Sequence, residues 1–205
     1  MLTKGIPYVI AAPSGGGKTS LVNALVHAMP NILASVSFTT RPIRPGEQEG
    51  VNYHFISVEE FETLREQQTF LECANVFGHY YGTSKRWLEE KLTAGFDVIL
   101  EIDWQGCRQI KQQFQECVSM FILPPSRATL LERLQRRAQD NPEVIAKRMI
   151  EAKSELSHYA EFDYLVVNDE FNQALADLQA IVCSHRLSQT RQSKQLAELL
   201  ESLLA

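Results

Sequence analysis

Residues 12–20 read APSGGGKTS and follow directly on the apolar run YVIAA. Three consecutive glycines surrender their side chains just where a cation and two hydroxyls come next. A backbone without Cβ atoms can approach a ligand closely and can take up positive φ. Amides in such a loop, at the start of a helix whose N-terminus carries partial positive charge, suit a phosphate chain. The pattern G-x-x-x-x-G-K-[ST] encodes this arrangement, with the lysine reaching the β- and γ-phosphates and the hydroxyl facing Mg²⁺. Its first position here is Ala12, a small departure, because the close-approach glycines are the later ones. The motif requires a strand before it and a helix after it. The apolar run supplies the first, and KTSLVNALVHAM, with Leu21, Leu25 and Met29 at helical spacing, supplies the second. A glycine-rich turn beside an ordinary helix would explain the glycines but not that context. The loop implies a nucleoside triphosphate and does not choose among motor, switch and kinase.

The rest of the chain alternates. ILASVSF reads as a second strand, and the Pro-, Gly- and charge-rich TTRPIRPGEQEG after it as an exposed loop. From VNYHFIS to YYGTS, short strand patterns surround one helix, Val58 to Gln67, which Ser57 can cap, with Glu60 completing a capping box. This mixed stretch interrupts the alternation and reads as an insertion. FDVILEI is a nearly continuous apolar run of the buried parallel kind. The helix WQGCRQIKQQF, the strand VSMFIL and the helix RATLLERLQRR follow, the last capped by Ser126. AQDNPEV breaks the pattern, a helix resumes over IAKRMIEAKSELSHYA, and YLVVN is a last strand. Two helices close the chain, Phe171 to about His185 and about Gln192 to the end. The order predicts an α/β fold with a parallel sheet and helices on both faces. In the final helix Leu196, Leu199, Leu200, Leu203 and Leu204 share one side and are expected to pack on the chain's own domain.

Composition narrows the function. The 205 residues fit one core with an inserted subdomain, and a hydrophobic fraction of 44% can bury a real core. A net charge of −5 argues against a nucleic-acid backbone as the main partner. No window has the length of a membrane span, and the N-terminal apolar run is too short for secretion. Cys73, Cys107, Cys117 and Cys183 show no C-x-x-C spacing and read as reduced thiols of a cytoplasmic protein. His27, His54, His79, His158 and His185 form no metal-ligand spacing, and Trp87 and Trp104 fall in helices as packing residues.

A second anion site is suggested by the insertion. Arg41 and Arg44, three apart in the Pro-rich loop, suit a phosphate monoester, since a guanidinium forks onto two oxygens. A solvated charged loop is the alternative. Tyr53, and Tyr81 with Thr83 in HYYGTS, add neutral donors. Glu72, in the mostly apolar FLECANV, needs a donor if it is buried. Guanine offers one, because its N1–H and N2 amine can both meet a single carboxylate, whereas adenine has no such pair. A structural ion pair or a solvent-facing strand position would also account for it.

Taken together, APSGGGKTS, SFTTRPIRPGE, YYGTS, ILEIDWQG and VNDE resemble guanylate kinases, in order, from about residue 8 to 170. The resemblance implies a P-loop NTPase fold in which residues 1–36 and 97–205 form the core, 37–96 a GMP-binding insertion and about 133–150 a small helical lid. It implies transfer of the γ-phosphate of ATP to GMP with Mg²⁺, and no nucleic acid, membrane or obligate protein partner. Its ATP-binding positions match Ala12, Pro13, Ser14, Gly15, Gly16, Gly17, Lys18, Thr19, Ser20, Arg133, Arg137, Asn168 and Asp169, the last two at the adenine. Its GMP-binding positions match Ser37, Arg41, Arg44, Tyr53, Glu72, Tyr81, Thr83, Glu101 and Asp103. Lys18, Arg41, Arg137 and Arg148 are the catalytic candidates, while Arg136 reads as a surface residue. Thr19 would hold the metal, partly through water with Asp103, and Asp103 could also cap the helix that follows it.

Three rivals separate on sequence features. A kinase for another nucleoside monophosphate would not use Glu72 to read guanine. A phosphopeptide-binding module derived from this fold would have a degraded ATP loop, but Lys18, Thr19 and the lid arginines are present. A GTPase switch would carry N-K-x-D, which is absent.

Overall fold

The computed structural model describes residues 3–76, 78–137 and 142–205, and only the backbone at 137 and 142. The first half runs β1 (Pro7–Ala11), α1 (Lys18–Ala28), β2 (Ile32–Ala34), β3 (Phe38–Thr39), β4 (His54–Phe55), α2 (Val58–Glu66), β5 (Phe70–Val76), β6 (His79–Ser84) and α3 (Lys85–Thr93). The second half runs β7 (Asp97–Leu100), α4 (Trp104–Gln113), β8 (Val118–Leu123), α5 (Arg127–Arg137), α6 (Pro142–Leu156), β9 (Tyr164–Val167), α7 (Phe171–Arg186), α8 (Gln189–Gln195) and α9 (Ala197–Leu204).

Among the described residues the core is a parallel sheet in the order β2-β7-β1-β8-β9. Alternation along β1 sends Tyr8 and Ile10 to one face and Val9 and Ala11 to the other. The first face packs on Leu21, Val22 and Leu25 of α1 and on Ala174, Leu178 and Val182 of α7. The second packs on Leu88 and Leu92 of α3 and on Cys107 and Ile110 of α4. Burial on both faces is why β1, β7 and β8 read as unbroken apolar runs. From β1 the chain turns one way to β2 and β7 and the other way to β8 and β9. The loop that leaves the carboxyl end of β1 therefore opens at a topological switch point, where such sheets bind ligands.

A second, mixed sheet has the order β4-β3-β6-β5. The expected strand ILASVSF is split between the two sheets. Ile32–Ala34 pairs in the core and Phe38–Thr39 pairs with β4 and β6, because the chain crosses between the sheets at residues 35–37. Helix α2 starts at Ser57, whose hydroxyl accepts from Glu60 N–H at 3.1 Å. Leu130 and Leu134 of α5 pack against Met149, Ala152 and Leu156 of α6 in a small separate core.

The final expected helix is broken at Leu196 (φ −101°, ψ 18°) into α8 and α9. Leu196 at the break and the leucines of α9 stay exposed, from 39% at Leu196 to 86% at Leu204, contrary to the expected self-packing. Among the described residues no helix is long and apolar enough to cross a membrane, and the four cysteines carry no disulfide. Trp104 stacks on His158 with ring centroids 3.7 Å apart, and the Arg108 guanidinium lies 4.5 Å from the Trp104 ring centre.

Candidate active site

The loop after β1 is held as its sequence demands. Gly17, the residue before α1, sits at φ 89°, and a Cβ there would collide with the Asn168 amide. No side chain caps the start of α1, so its first amides face outward beside Lys18. Inside the loop Gly16 N–H donates to the Pro13 carbonyl at 2.8 Å. The Asn168 side chain, buried after β9, donates to the Gly16 carbonyl at 2.9 Å. The Asn168 backbone carbonyl accepts from Arg133 NH2 at 3.0 Å. Asn168, expected at the adenine, thus has its side-chain amide on the loop backbone. Asp169, next to it, is exposed.

Thr19, expected to hold the metal partly through water with Asp103, donates its hydroxyl to Glu101 Oε2 at 3.1 Å on the exposed lip of the loop. Asp103 is drawn into the N-cap of α4, where it accepts from Gly106 N–H at 3.0 Å and from the Gln105 amide at 2.9 Å. Glu101, which the sequence places both in the GMP set and, with Asp103, at the strand end where a carboxylate can order the metal's water, sits on the metal-side hydroxyl. Ser20 is exposed, and Ala12 packs against the core.

Opposite the loop, register assembles the second half of the site. Glu72 of β5 pairs across the strands with Thr83 of β6, and Phe38 of β3 pairs with Gly82, which sets Ser37 beside Thr83. The Thr83 hydroxyl donates to Glu72 Oε1 at 2.7 Å and lies 3.3 Å from Ser37 Oγ. All three are buried. Burial pushes the Glu72 carboxyl up to about 7, Asp103 adding to the rise while Thr83 opposes it. Gly106 lets α4 close onto this acid, since a Cβ there would stand 2.8 Å from Glu72 Oε2.

Nearer the mouth, Arg41 is buried and oriented. Its NH2 donates to Glu47 Oε1 at 2.7 Å and its NH1 to the Pro42 carbonyl at 2.8 Å, with the guanidinium 5.4 Å from the Tyr53 ring centre. Glu47 also accepts from Arg44 N–H at 2.8 Å, so one carboxylate shapes the whole turn. Tyr53 and Tyr81 meet edge to face at 5.8 Å, and burial, with Glu101 nearby, pushes the Tyr53 phenol up to about 12.

A cleft of about 470 Å³ is lined by Ser14 of the phosphate loop, by Arg41, Arg44 and Tyr81, and by Lys147 and Arg148 of α6, among others. Two expected arginines remain. Arg133 faces Asn168, and Arg137 closes α5 with its side chain outside the described residues. Arg136 pairs with Glu132 on the surface, as expected of it. Sequence reasoning missed Glu47, Glu155 and Gly106. Glu47 lies inside the quoted RPGE and could have been found as the acid nearest two arginines. Glu155, which accepts from Ser14 N–H at 3.0 Å, left no local signal.

A family model described as guanylate kinase matches residues 4–185. A guanylate kinase of Alkalilimnicola ehrlichii is 58% identical over 200 residues, covering 98% of both chains. One of Vibrio parahaemolyticus is 54% identical over 204 residues, covering 98% of this chain and 99% of that one. The crystal structure of guanylate kinase from Anaplasma phagocytophilum superposes with a TM-score of 0.78 at 35% identity, covering 98% of this chain and 95% of the other. The phosphate loop and the arginine turn both line one cleft, the buried acid sits in the second sheet, and the chain belongs to the guanylate kinase family.

Proposed function

We propose that this enzyme transfers the γ-phosphate of ATP directly to GMP, giving ADP and GDP, with Mg²⁺. The observation that carries the reading is the buried Ser37–Thr83–Glu72 chain in the second sheet. A carboxylate there accepts guanine N1–H and N2–H together. Arg41, Arg44, Tyr53 and Tyr81 then take the GMP phosphate, while the loop residues Ser14 to Thr19 and Lys18 take ATP.

Phosphoryl transfer asks the protein for alignment and charge neutralisation more than for covalent chemistry. Lys18 serves the ATP phosphates. Arg41, held by Glu47, presents a fixed fork to the acceptor. Arg148, which lines the cleft, and Arg137 with Arg133 are the cations assigned to the migrating charge. Residues 37–96 act as the GMP-binding insertion and about 133–150 as the lid, whose closure excludes water. Thr19 Oγ1 and Glu101 Oε2 are hard oxygens 3.1 Å apart on an exposed lip, a donor set that fits a small cation retaining most of its water. When bound, Mg²⁺ would offset charge on the phosphate oxygens. The soluble substrates suit a cytoplasmic enzyme.

The test is ADP production from ATP and Mg²⁺ with GMP, AMP, CMP, UMP or dTMP, in wild type and Glu72→Gln. Turnover with GMP alone, lost in the folded variant, supports the reading. Turnover with another monophosphate overturns the guanine assignment. A folded protein that binds GMP and turns over none of them is a binding module.

A further inference from the structure

Glu155 has no part in the reaction as assigned above, yet its carboxylate touches the phosphate loop. Oε2 accepts from Ser14 N–H at 3.0 Å across 141 residues of sequence. Ser14 also lines the cleft where the two substrates would meet. A carboxylate inside an anion-binding loop works against phosphate affinity, so its placement calls for a reason. Burial holds its pKa above the ordinary carboxylate value, against the opposing effects of the Ser14 N–H and the charge of Lys18.

Its position is imposed from behind. Glu155 stands between Ala152 and Leu156 of α6, which pack on Leu130 and Leu134 of α5. Those two leucines also reach the loop, since a Cβ on Gly15 would lie 3.1–3.3 Å from them. Further round the loop, the Gly16 carbonyl is held by Asn168, which in turn holds Arg133 of α5. Both helices that carry the lid arginines therefore grip the loop, α5 through leucines and Asn168, and α6 through Glu155.

We propose that Glu155 is a positioning residue that fixes the Ser14 end of the phosphate loop to α6, so that the helix presenting Arg148 and the loop presenting Lys18 keep one geometry during transfer. The inference rests on the phosphotransfer reading. What matters is an acceptor for Ser14 N–H at that point, which an amide oxygen can also provide. Loss of the acceptor misaligns the loop at its γ-phosphate end and leaves the guanine pocket untouched.

The experiment compares wild type, Glu155→Gln and Glu155→Ala by steady-state kinetics, by calorimetric binding of GMP, and by thermal melting. We expect Glu155→Gln to keep kcat within about twofold and to bind ATP no worse, since it removes like charge from the loop. Glu155→Ala should lose kcat about tenfold or more, the scale of one strong hydrogen bond, with GMP affinity unchanged. Wild-type kcat in Glu155→Ala would overturn the proposal. So would equal loss in both variants, or weakened GMP binding in step with kcat, which marks a general structural role. If Glu155→Ala does not fold, Glu155→Gln decides, because a tenfold loss there excludes the acceptor role. Wild type that turns over no GMP defeats the phosphotransfer reading itself, an outcome separate from these.

Discussion

The Thr83 hydroxyl donates to Glu72 Oε1 at 2.7 Å, a cross-strand bond that the buried acid holds before any base arrives. The neutral donors of Thr83 do not offset burial, so the carboxyl is pushed up to about 7. Guanine binding requires the ionised form. GMP affinity should therefore rise with pH through neutrality, by about tenfold between pH 6 and pH 8 for a group titrating near 7. Calorimetry of GMP binding over that range checks it, with Glu72→Gln as the reference that shares the titration of the GMP phosphate. Equal pH dependence in the two proteins would remove Glu72 from the binding equilibrium.

The same shift has the opposite effect on the fold. The pKa of Glu72 is higher folded than unfolded, so its contribution to stability is full below the unfolded value. It is lost as pH rises towards about 7. Relative to Glu72→Gln, which stays neutral, the wild type should lose at most about 3 kcal/mol over that window. Urea unfolding of both proteins without ligand, at pH 5 and pH 8, should show the variant gaining on wild type at the higher pH. A constant difference between them would mean that the acid titrates alike in both states.

The phosphate loop could be read directly, because everything it needs lies within one strand, six loop residues and one helix turn. The alternation of apolar runs likewise carries the core sheet, whose strands are buried on both faces. What stayed hidden depends on tertiary register. ILASVSF looks like one strand, and nothing local says that Ala34 and Phe38 pair in different sheets. Glu101 and Asp103 are equivalent as sequence, but the start of α4 claims the second and leaves the first to Thr19. Glu155 reads as one more acid on a helix face, and only the loop arriving from the far end of the chain gives it a role.

Gly106 lies in the first turn of α4, where alanine is normally the better residue by roughly 0.5–1 kcal/mol. Here a Cβ would meet Glu72 Oε2 at 2.8 Å and Ile102 Cδ1 at 3.0 Å. The carboxylate is the freer of the two and must yield, turning from the direction in which guanine would meet it. Gly106→Ala should therefore weaken GMP binding about tenfold or more while stability changes by less than about 1 kcal/mol. Combining it with Glu72→Gln should add little to the loss seen in Glu72→Gln alone, because both act through one group. Additive losses in that cycle would show that the methyl group disturbs the site by another route.

Asp97 anchors the opposite end of the sheet. Buried at the start of β7, it accepts from Ile6 N–H and from Arg186 Nε, both at 2.8 Å, with Arg191 at 3.8 Å. Arg186 also donates to the carbonyls of Pro30 and Asn31, so this one acid joins the end of α7, the entry to β2 and the strand edge beside β1. Removing one partner of a buried pair leaves the other charge uncompensated, at a cost of about 3–5 kcal/mol. Asp97→Ala should lower the urea midpoint accordingly, and Asp97→Asn less, since its amide oxygen still serves Ile6. The site lies at the amino ends of the strands and the phosphate loop at the carboxyl end of β1. At a temperature where both variants remain folded, kcat and the KM for GMP should therefore match wild type. A fall in kcat without unfolding would mean that the C-terminal helices influence the cleft through the sheet.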